Sequence, residues 1–254
     1  MDNISNLLQL SKDAVIIAYE KLVELDEEEI KNYFFSTKIS KEAKAIADKI
    51  IEEILINKLS KAGLNILSEE SGLSRIKNNS KLRFIIDPID GTVNFVRGIS
   101  SCSISVALYD GDKPLFGVIG SFPQGNIAWG GKKIGAFIDD IEIKVSCIGD
   151  SKKGILCTGF PSRFQFDDES IRNQINLMRK FAKIRMLGSA SQSLLKVAQG
   201  SAEAYIENEI MLWDVAAGLA ILEGAGGSFL SDLGRSKYAL NVVASNGLID
   251  NIGN

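Results

Sequence analysis

The spacing of the apolar residues changes twice along the chain, and this change constrains the fold more than any other feature. Residues 4–25 and about 40–62 repeat apolar side chains every three or four positions, as amphipathic helices do. Residues 80–147 carry short β-like runs separated by glycines, and the last hundred residues alternate strand-like and helix-like segments. This order predicts an α/β (α+β) architecture with layers of helices and sheets.

The length and composition bound the number of domains. The chain has 254 residues, of which 45% are apolar, enough for one large domain or two halves that share a core. We expect an N-terminal half over residues 1–150, with two helices and a β-rich block, and an α/β half over residues 151–254. No linker-like segment separates them, so the two halves should form one compact unit.

Charge and hydropathy argue against large anionic partners. The net charge is −3 and no dense block of lysine and arginine is present, so we expect no nucleic-acid or membrane partner. No apolar run reaches the roughly 20 residues that span a bilayer, and the N-terminus does not read as a signal peptide. We therefore expect a cytoplasmic protein.

The chain contains no histidine. This excludes histidine-ligated zinc, Ser-His-Asp and Cys-His catalysis and imidazole acid–base chemistry. The three cysteines are far apart and form no C-x-x-C motif, so packing is the simplest role for them. An enzyme with this composition must use carboxylates, hydroxyls, amines and a metal that prefers oxygen ligands.

The segment Arg83–Phe95, "RFIIDPIDGTVNF", ends an apolar run in two acids, a glycine and a threonine. Pro88 restricts the backbone, so Asp87 and Asp90 lie on a short stiff bend. Two close carboxylates with a carbonyl between them suit Mg²⁺ or Mn²⁺, and a glycine that exposes N–H groups suits an anion. Spacing alone leaves a metal–phosphate site and a capped turn equally open.

Three motifs together resemble the inositol monophosphatase family. "DPIDGTVNF" resembles its first signature, "WDVAAG" at 213–218 its second, and "SEES" at 68–71 its upstream glutamate motif. "RMLGSASQSLLKVAQGSAEAYIE" resembles its substrate-side segment, and the likeness covers about residues 40–245, most like the archaeal members. The resemblance implies a layered α-β-α-β-α sandwich of the inositol monophosphatase/fructose-1,6-bisphosphatase type. It also implies a homodimer.

The resemblance implies a metal-dependent phosphatase that uses two Mg²⁺ ions, with Mn²⁺ as a substitute. Glu69, Asp87 and the carbonyl of Ile89 would hold one ion, and Asp87, Asp90 and Asp214 a second. Taken singly, Asp214 also fits a helix N-cap and Glu69 a solvated loop. A third ion needs an acid early in the second helix, where one alignment of the motif places Lys44 and other registers place Glu42 or Asp48.

The resemblance also assigns catalytic and substrate contacts. Glu69 and Thr92 would orient the attacking water, with Asp87 as their metal-holding partner. Contacts to the phosphate ester are implied for Asp90, Gly91, Thr92, Arg185, Ser189, Ala190 and Glu207. In this set the N–H groups of Gly91 and Thr92 would cradle the phosphate, Glu207 would reach a substrate hydroxyl, and Arg185 would pair with a second phosphate. The expected substrates are inositol 1-phosphate and fructose 1,6-bisphosphate.

Two other functions compete with this interpretation. A haloacid-dehalogenase-type phosphatase also carries an aspartate and a D-G-T string, but one residue separates its acids, whereas two separate Asp87 from Asp90. The second competing function is that of a non-catalytic, metal-dependent sugar-phosphate-binding protein. Its support is Lys44, which one alignment places where the third ion needs an acid.

Overall fold

The computed structural model describes residues 2–25, 37–74, 80–160 and 164–249; for residues 2–3 and 37–45 it describes only the backbone. Two helices open the chain, α1 (Asp2–Leu25) and α2 (Thr37–Leu59). Of the apolar positions that the helical spacing aligns, Val15, Ala18, Leu22, Leu25 and Ala47 are buried. Ile4, Leu8, Ile50 and Ile54 are partly buried against the same core. A short 3₁₀ turn and Gly63, whose φ is 64°, end the second helix. The charge run that the sequence shows at 26–29 lies outside the described residues.

The first sheet has eight strands in the order β2-β1-β3-β4-β5-β6-β7-β8. All neighbours are antiparallel except β1 and β3, which are parallel. Its strands are β1 (Asn65–Ser68), β2 (Gly72–Ser74), β3 (Leu82–Asp90), β4 (Cys102–Asp110), β5 (Lys113–Phe122), β6 (Ile127–Gly131), β7 (Gly135–Ile138) and β8 (Ile141–Glu142). The short helix α3 (Thr92–Val96) follows β3 directly.

The second sheet has five strands in the order β10-β9-β11-β13-β12. Its strands are β9 (Ile155–Thr158), β10 (Lys183–Arg185), β11 (Ala204–Met211), β12 (Ser228–Leu233) and β13 (Ala239–Ser245). Three helices alternate with them, α4 (Asp168–Met178), α5 (Ala190–Ala198) and α6 (Leu212–Gly224). Asp167 caps α4 by accepting the N–H groups of Glu169 and Ser170.

The two faces of β3 show how the layers stack. Phe84 and Ile86 pack with the residues of α1 and α2, whereas Ile85 packs on the opposite face with residues of α5 and α6. These two helices also contact the second sheet, whose far face packs against Leu177 of α4. The five layers confirm the predicted α-β-α-β-α sandwich.

The two sheets draw on separate parts of the chain. Every strand of the first sheet lies within residues 65–142, and every strand of the second lies within residues 155–245. The division at residue 150 stays a prediction. Among the described residues, no helix is both long and apolar enough to cross a membrane.

Candidate active site

A β-bulge at the end of β3 aims both motif acids to the same face of the sheet. Asp87 lies opposite Ser105 and Asp90 opposite Ser103, so three steps along β3 match two steps along β4. In a regular strand, residues three apart point to opposite faces, and the extra residue of a bulge corrects this. Pro88, which cannot donate a ladder hydrogen bond, lies within the bulge.

Three acids from separate segments meet beside this bulge. Glu69 comes from the turn between β1 and β2, Asp87 from β3 and Asp214 from the first turn of α6. One carboxylate oxygen of each lies within 4.8 Å of the other two. Asp214 is not the N-cap of α6, a position that Met211 occupies, and its carboxylate belongs to the cluster.

The electrostatics of the cluster favour a bound cation. Burial raises the pKa of Asp87 well above its usual value, and the charges of Glu69, Asp90 and Asp214 raise it further. The pKa of Asp214 is also raised, by burial and then by Asp90 and Glu69. The Oδ2 atom of Asp87 is buried without a hydrogen-bond partner, although Oδ1 accepts the N–H of Ile89 at 3.1 Å. An all-oxygen donor set with one orphaned acceptor fits a hard divalent ion.

Asp90 and the carbonyl of Ile89 have protein partners of their own. The Asp90 carboxylate accepts the Ser189 hydroxyl at 2.6 Å, the N–H of Ser191 at 2.7 Å and the N–H of Ala190 at 3.3 Å, and also the Ser191 hydroxyl. The start of α5 therefore orients Asp90, although its charge still acts on Asp87 and Asp214. The Ile89 carbonyl accepts the hydroxyl of Thr92 at 2.9 Å, so it has one lone pair left.

Gly91 allows the motif to approach the loop before α5. Its φ is 83°, and a Cβ there would lie 3.0 Å from the carbonyl oxygens of both Ser101 and Gly188. Asn94 joins the same segments, because its amide donates to the carbonyls of Ser101 and Leu187 at 2.7 Å each. Gly91 and Thr92 thus open α3 beside the acid cluster, and the phosphate cradle assigned to their N–H groups stays a prediction.

A cavity of about 720 Å³ opens over the cluster. Six carboxylate side chains line it: Glu69, Glu70, Asp90, Glu207, Glu209 and Asp214. Its other walls are formed by Thr158, Gly159, Phe160, Met186, Gly188, Ser189, Ala190, Ser193, Ile210, Met211, Trp213 and Ser236. Among the described residues, no lysine or arginine lines this cavity.

Glu207 is another acid of the cavity whose pKa is raised. Burial raises its pKa to about 7; the Asp90 charge acts in the same direction, and the hydrogen bond from Tyr205 acts against it. The Tyr205 hydroxyl donates to Oε2 of Glu207 at 3.0 Å. Gly159 leaves the space for this carboxylate, since a Cβ there would lie 2.8 Å from Oε2.

Two predicted positions lie differently from the rest. Arg185 is exposed at the end of β10, donates to the carbonyl of Ile184 at 2.9 Å and does not line the cavity, although the next residue, Met186, does. Asp48 is buried on α2, and its charge raises the pKa of Asp87. The register that offers Asp48 therefore places an acid close enough to act on the cluster, while the side chains of Glu42 and Lys44 lie outside the described part.

The sequence interpretation missed two residues that orient site carboxylates. Tyr205 precedes Glu207 by two positions on β11, and strand alternation alone puts both on one face. Ser191 donates to Asp90 from about a hundred residues away, and no local pattern signals such a contact.

Comparisons with known proteins agree over most of the chain. The model of the inositol monophosphatase family matches residues 5–250. A fructose-1,6-bisphosphatase/inositol-1-monophosphatase of Aquifex aeolicus is 30% identical over 90% of this chain and 87% of its own length. A Nus factor SuhB of Xylella fastidiosa is 33% identical over 71% of this chain and 66% of its own. The inositol monophosphatase structure from Anabaena superimposes with a TM-score of 0.78 and 28% identity, over 96% of this chain and 92% of that one.

Proposed function

The chain belongs to the inositol monophosphatase family, and from this premise we propose that it hydrolyses phosphate monoesters of inositol and related sugars with the help of divalent metal ions. The observation that carries the proposal is the cluster of Glu69, Asp87 and Asp214. Three buried or half-buried acids at this separation repel one another unless a cation or protons compensate. Relatives named as phosphatases make a catalytic cation the better explanation.

We propose Mg²⁺ as the ion, with Mn²⁺ as a substitute. Glu69, Asp87 and the Ile89 carbonyl would hold one ion, and Asp87, Asp90 and Asp214 a second. Asp48, whose charge acts on Asp87, would serve a third. When bound, such ions supply Lewis-acid activation of water and neutralise charge on the leaving oxygen. This replaces the histidine base that the chain does not possess.

The protein's own groups would position the reactants. Glu69 and the Thr92 hydroxyl orient the attacking water, and the N–H groups of Gly91 and Thr92 hold the phosphate. Ser189 and Ala190 lie along the cavity wall, and the Glu207 carboxylate at the far side accepts a substrate hydroxyl. Tyr205 supports this last role because its hydroxyl fixes one oxygen of Glu207 and leaves the other for the substrate.

We further propose that the protein prefers a monophosphate to a bisphosphate. A second phosphate far from the metal ions would face Glu207 or Glu209, and no described lysine or arginine lines that wall. Arg185 is the cation that the sequence suggests for this role, and its neighbour Met186 lines the cavity. We therefore propose inositol 1-phosphate as the better substrate and fructose 1,6-bisphosphate as one that depends on Arg185.

The direct experiment measures phosphate release from both esters by purified protein, with Mg²⁺, with Mn²⁺ and with excess EDTA. We expect turnover that requires the metal and is higher for inositol 1-phosphate. Absence of release from both esters would favour the binding protein, and a trapped phospho-aspartate would favour the dehalogenase-type mechanism. Turnover that persists in EDTA would refute the metal-dependent proposal.

Two broader properties are proposed from the resemblance. A homodimer is testable by sedimentation of the purified protein. A cytoplasmic location is testable by fractionation of the cells that express it.

A further inference from the structure

A buried glutamate on α2 holds the turn that carries Glu69. Glu52 is 6% exposed, and its Oε1 atom accepts two hydrogen bonds from Ser71. The backbone N–H of Ser71 donates at 3.0 Å and its hydroxyl at 2.9 Å. No motif of the sequence points to Glu52, and the roles assigned above do not use it.

This contact matters because the turn leads into a short strand at the edge of the sheet. Glu69 and Glu70 follow β1, and Ser71 leads into β2, which has only three residues and is the last strand on its side of the first sheet. Ser71 is two positions from Glu69, so a shift of Ser71 moves the backbone that presents the Glu69 carboxylate. The distance of 4.8 Å or less between Glu69, Asp87 and Asp214 depends on that placement.

The same helix, α2, also carries Asp48, whose charge acts on Asp87 of the cluster. Asp48 lies one turn before Glu52, and residues four apart share a helix face. Both are buried, and the charge of Asp48 acts on Asp87. One face of α2 is therefore next to β3 through Asp48 and next to the β1–β2 turn through Glu52, and it sets the distance between these two segments.

We propose that Glu52 is a positioning residue that holds Glu69 in register with Asp87 and Asp214 for metal binding. This role rests on the proposed function, because it assumes that the three acids bind a metal ion. Glu52 touches neither substrate nor metal and acts through Ser71. Removal of its carboxylate should weaken metal binding while the fold is kept.

The test measures Mn²⁺ affinity of metal-stripped full-length protein by isothermal titration calorimetry, without substrate. Changing a partner that orients metal ligands costs about 10-fold or more in affinity, so we expect Glu52→Ala to raise the Mn²⁺ dissociation constant about 10-fold. Glu52→Gln keeps an oxygen acceptor and should stay within about threefold of wild type. Ser71→Ala removes one of the two hydrogen bonds from an exposed residue and should cost about threefold.

Glu203 offers a matched control. It is 2% exposed, and its carboxylate likewise accepts one serine hydroxyl, Ser146 at 2.9 Å, and one backbone N–H, Ile155 at 2.6 Å. It does not line the cavity. Glu203→Ala should therefore lower the melting temperature as Glu52→Ala does but leave the Mn²⁺ dissociation constant unchanged.

The outcomes separate the two claims. If Glu52→Ala and Glu203→Ala are destabilised alike and both bind Mn²⁺ like wild type, the positioning role is refuted. If Glu52→Ala does not fold, Ser71→Ala decides, and wild-type Mn²⁺ affinity in that variant refutes the role. Wild-type protein that binds Mn²⁺ without releasing phosphate would instead overturn the proposed function and leave the positioning role intact.

Discussion

Replacement of Asp87 by asparagine should stabilise the metal-free protein and remove most of the stabilisation that a bound metal ion provides. Two unit charges 4.8 Å apart repel by about 3.5 kcal/mol at an effective dielectric constant of about 20. Asp87 lies within that distance of two acids. An asparagine in its place would keep an oxygen for the N–H of Ile89, while its amide donates to a neighbouring carboxylate. Proton uptake relieves part of the repulsion in wild type, because burial and neighbouring charges raise the pKa of Asp87.

We therefore expect metal-free Asp87→Asn to be more stable than metal-free wild type by about 2 kcal/mol near pH 8, or about 4–8 °C in melting temperature. Mg²⁺ at about 100 times its dissociation constant adds about 2.7 kcal/mol to a protein that binds it. In Mg²⁺, wild type should gain this free energy of unfolding and become more stable than the variant, which should gain little. The variant should also lose nearly all catalytic turnover.

The assay is thermal unfolding followed by tryptophan fluorescence, in EDTA and in excess Mg²⁺. Asp232→Asn is the control, since Asp232 is exposed on β12 and does not line the cavity. It should shift neither curve. The reasoning is refuted if metal-free Asp87→Asn melts below wild type, or if both proteins gain equally from Mg²⁺.

Three other residues around the cavity give further predictions. Burial raises the pKa of Glu207 from 4.5 to about 7, so the folded metal-free protein holds a proton that the unfolded chain releases, and stability falls as pH rises through that window. Between about pH 5 and pH 8, wild type should therefore lose about 3 kcal/mol in free energy of unfolding that Glu207→Gln does not lose, as measured by urea unfolding. Parallel plots of this free energy against pH for the two proteins would contradict the prediction. Thr92→Val should lower kcat about 100-fold with Mn²⁺ affinity retained, whereas Thr92→Ser should stay active; a valine variant of wild-type kcat would remove Thr92 from the chemistry. Arg185→Ala should leave kcat/KM for inositol 1-phosphate unchanged and lower that for fructose 1,6-bisphosphate several-fold, and an unchanged ratio of the two would exclude Arg185 from substrate choice.

The fold could be predicted from local patterns except where the backbone exchanges hydrogen-bond partners in a sheet for partners in a distant element. Both opening helices and most strands are at the positions that periodicity indicates. The pattern "IEIKVS" at 141–146 predicts a strand of that length, but only Ile141 and Glu142 pair with β7. The N–H of Ile143 then donates to Ala136 and that of Val145 to Ala225 at the end of α6. The segment therefore stays on β7 as far as Ile143 and then leaves the sheet edge, because the hydrogen bond of Val145 goes to a helix end that is eighty residues away in sequence.

The candidate site was predictable in its chemistry and less so in its geometry. The signature motifs pointed to Glu69, Asp87 and Asp214, and their oxygens do meet. The same motif assigned Asp90 to a metal ion, and that assignment stays a prediction, since its carboxylate accepts hydrogen bonds from the start of α5. Asp48 was one of three residues that different registers of the motif offered for a third ion, and its effect on Asp87 depends on tertiary packing that the motif does not report.

The sequence alone determined which atoms are available. A chain without histidine and with sparse cysteines can offer a metal little besides oxygen, whatever its fold. Tertiary structure decided which of those oxygens converge, because the bulge in β3, the first turn of α6 and the contact of Glu52 with Ser71 are set by packing between distant segments. Local propensity reports the conformation of a few neighbouring residues, and it cannot report which of 32 acidic side chains share one buried face.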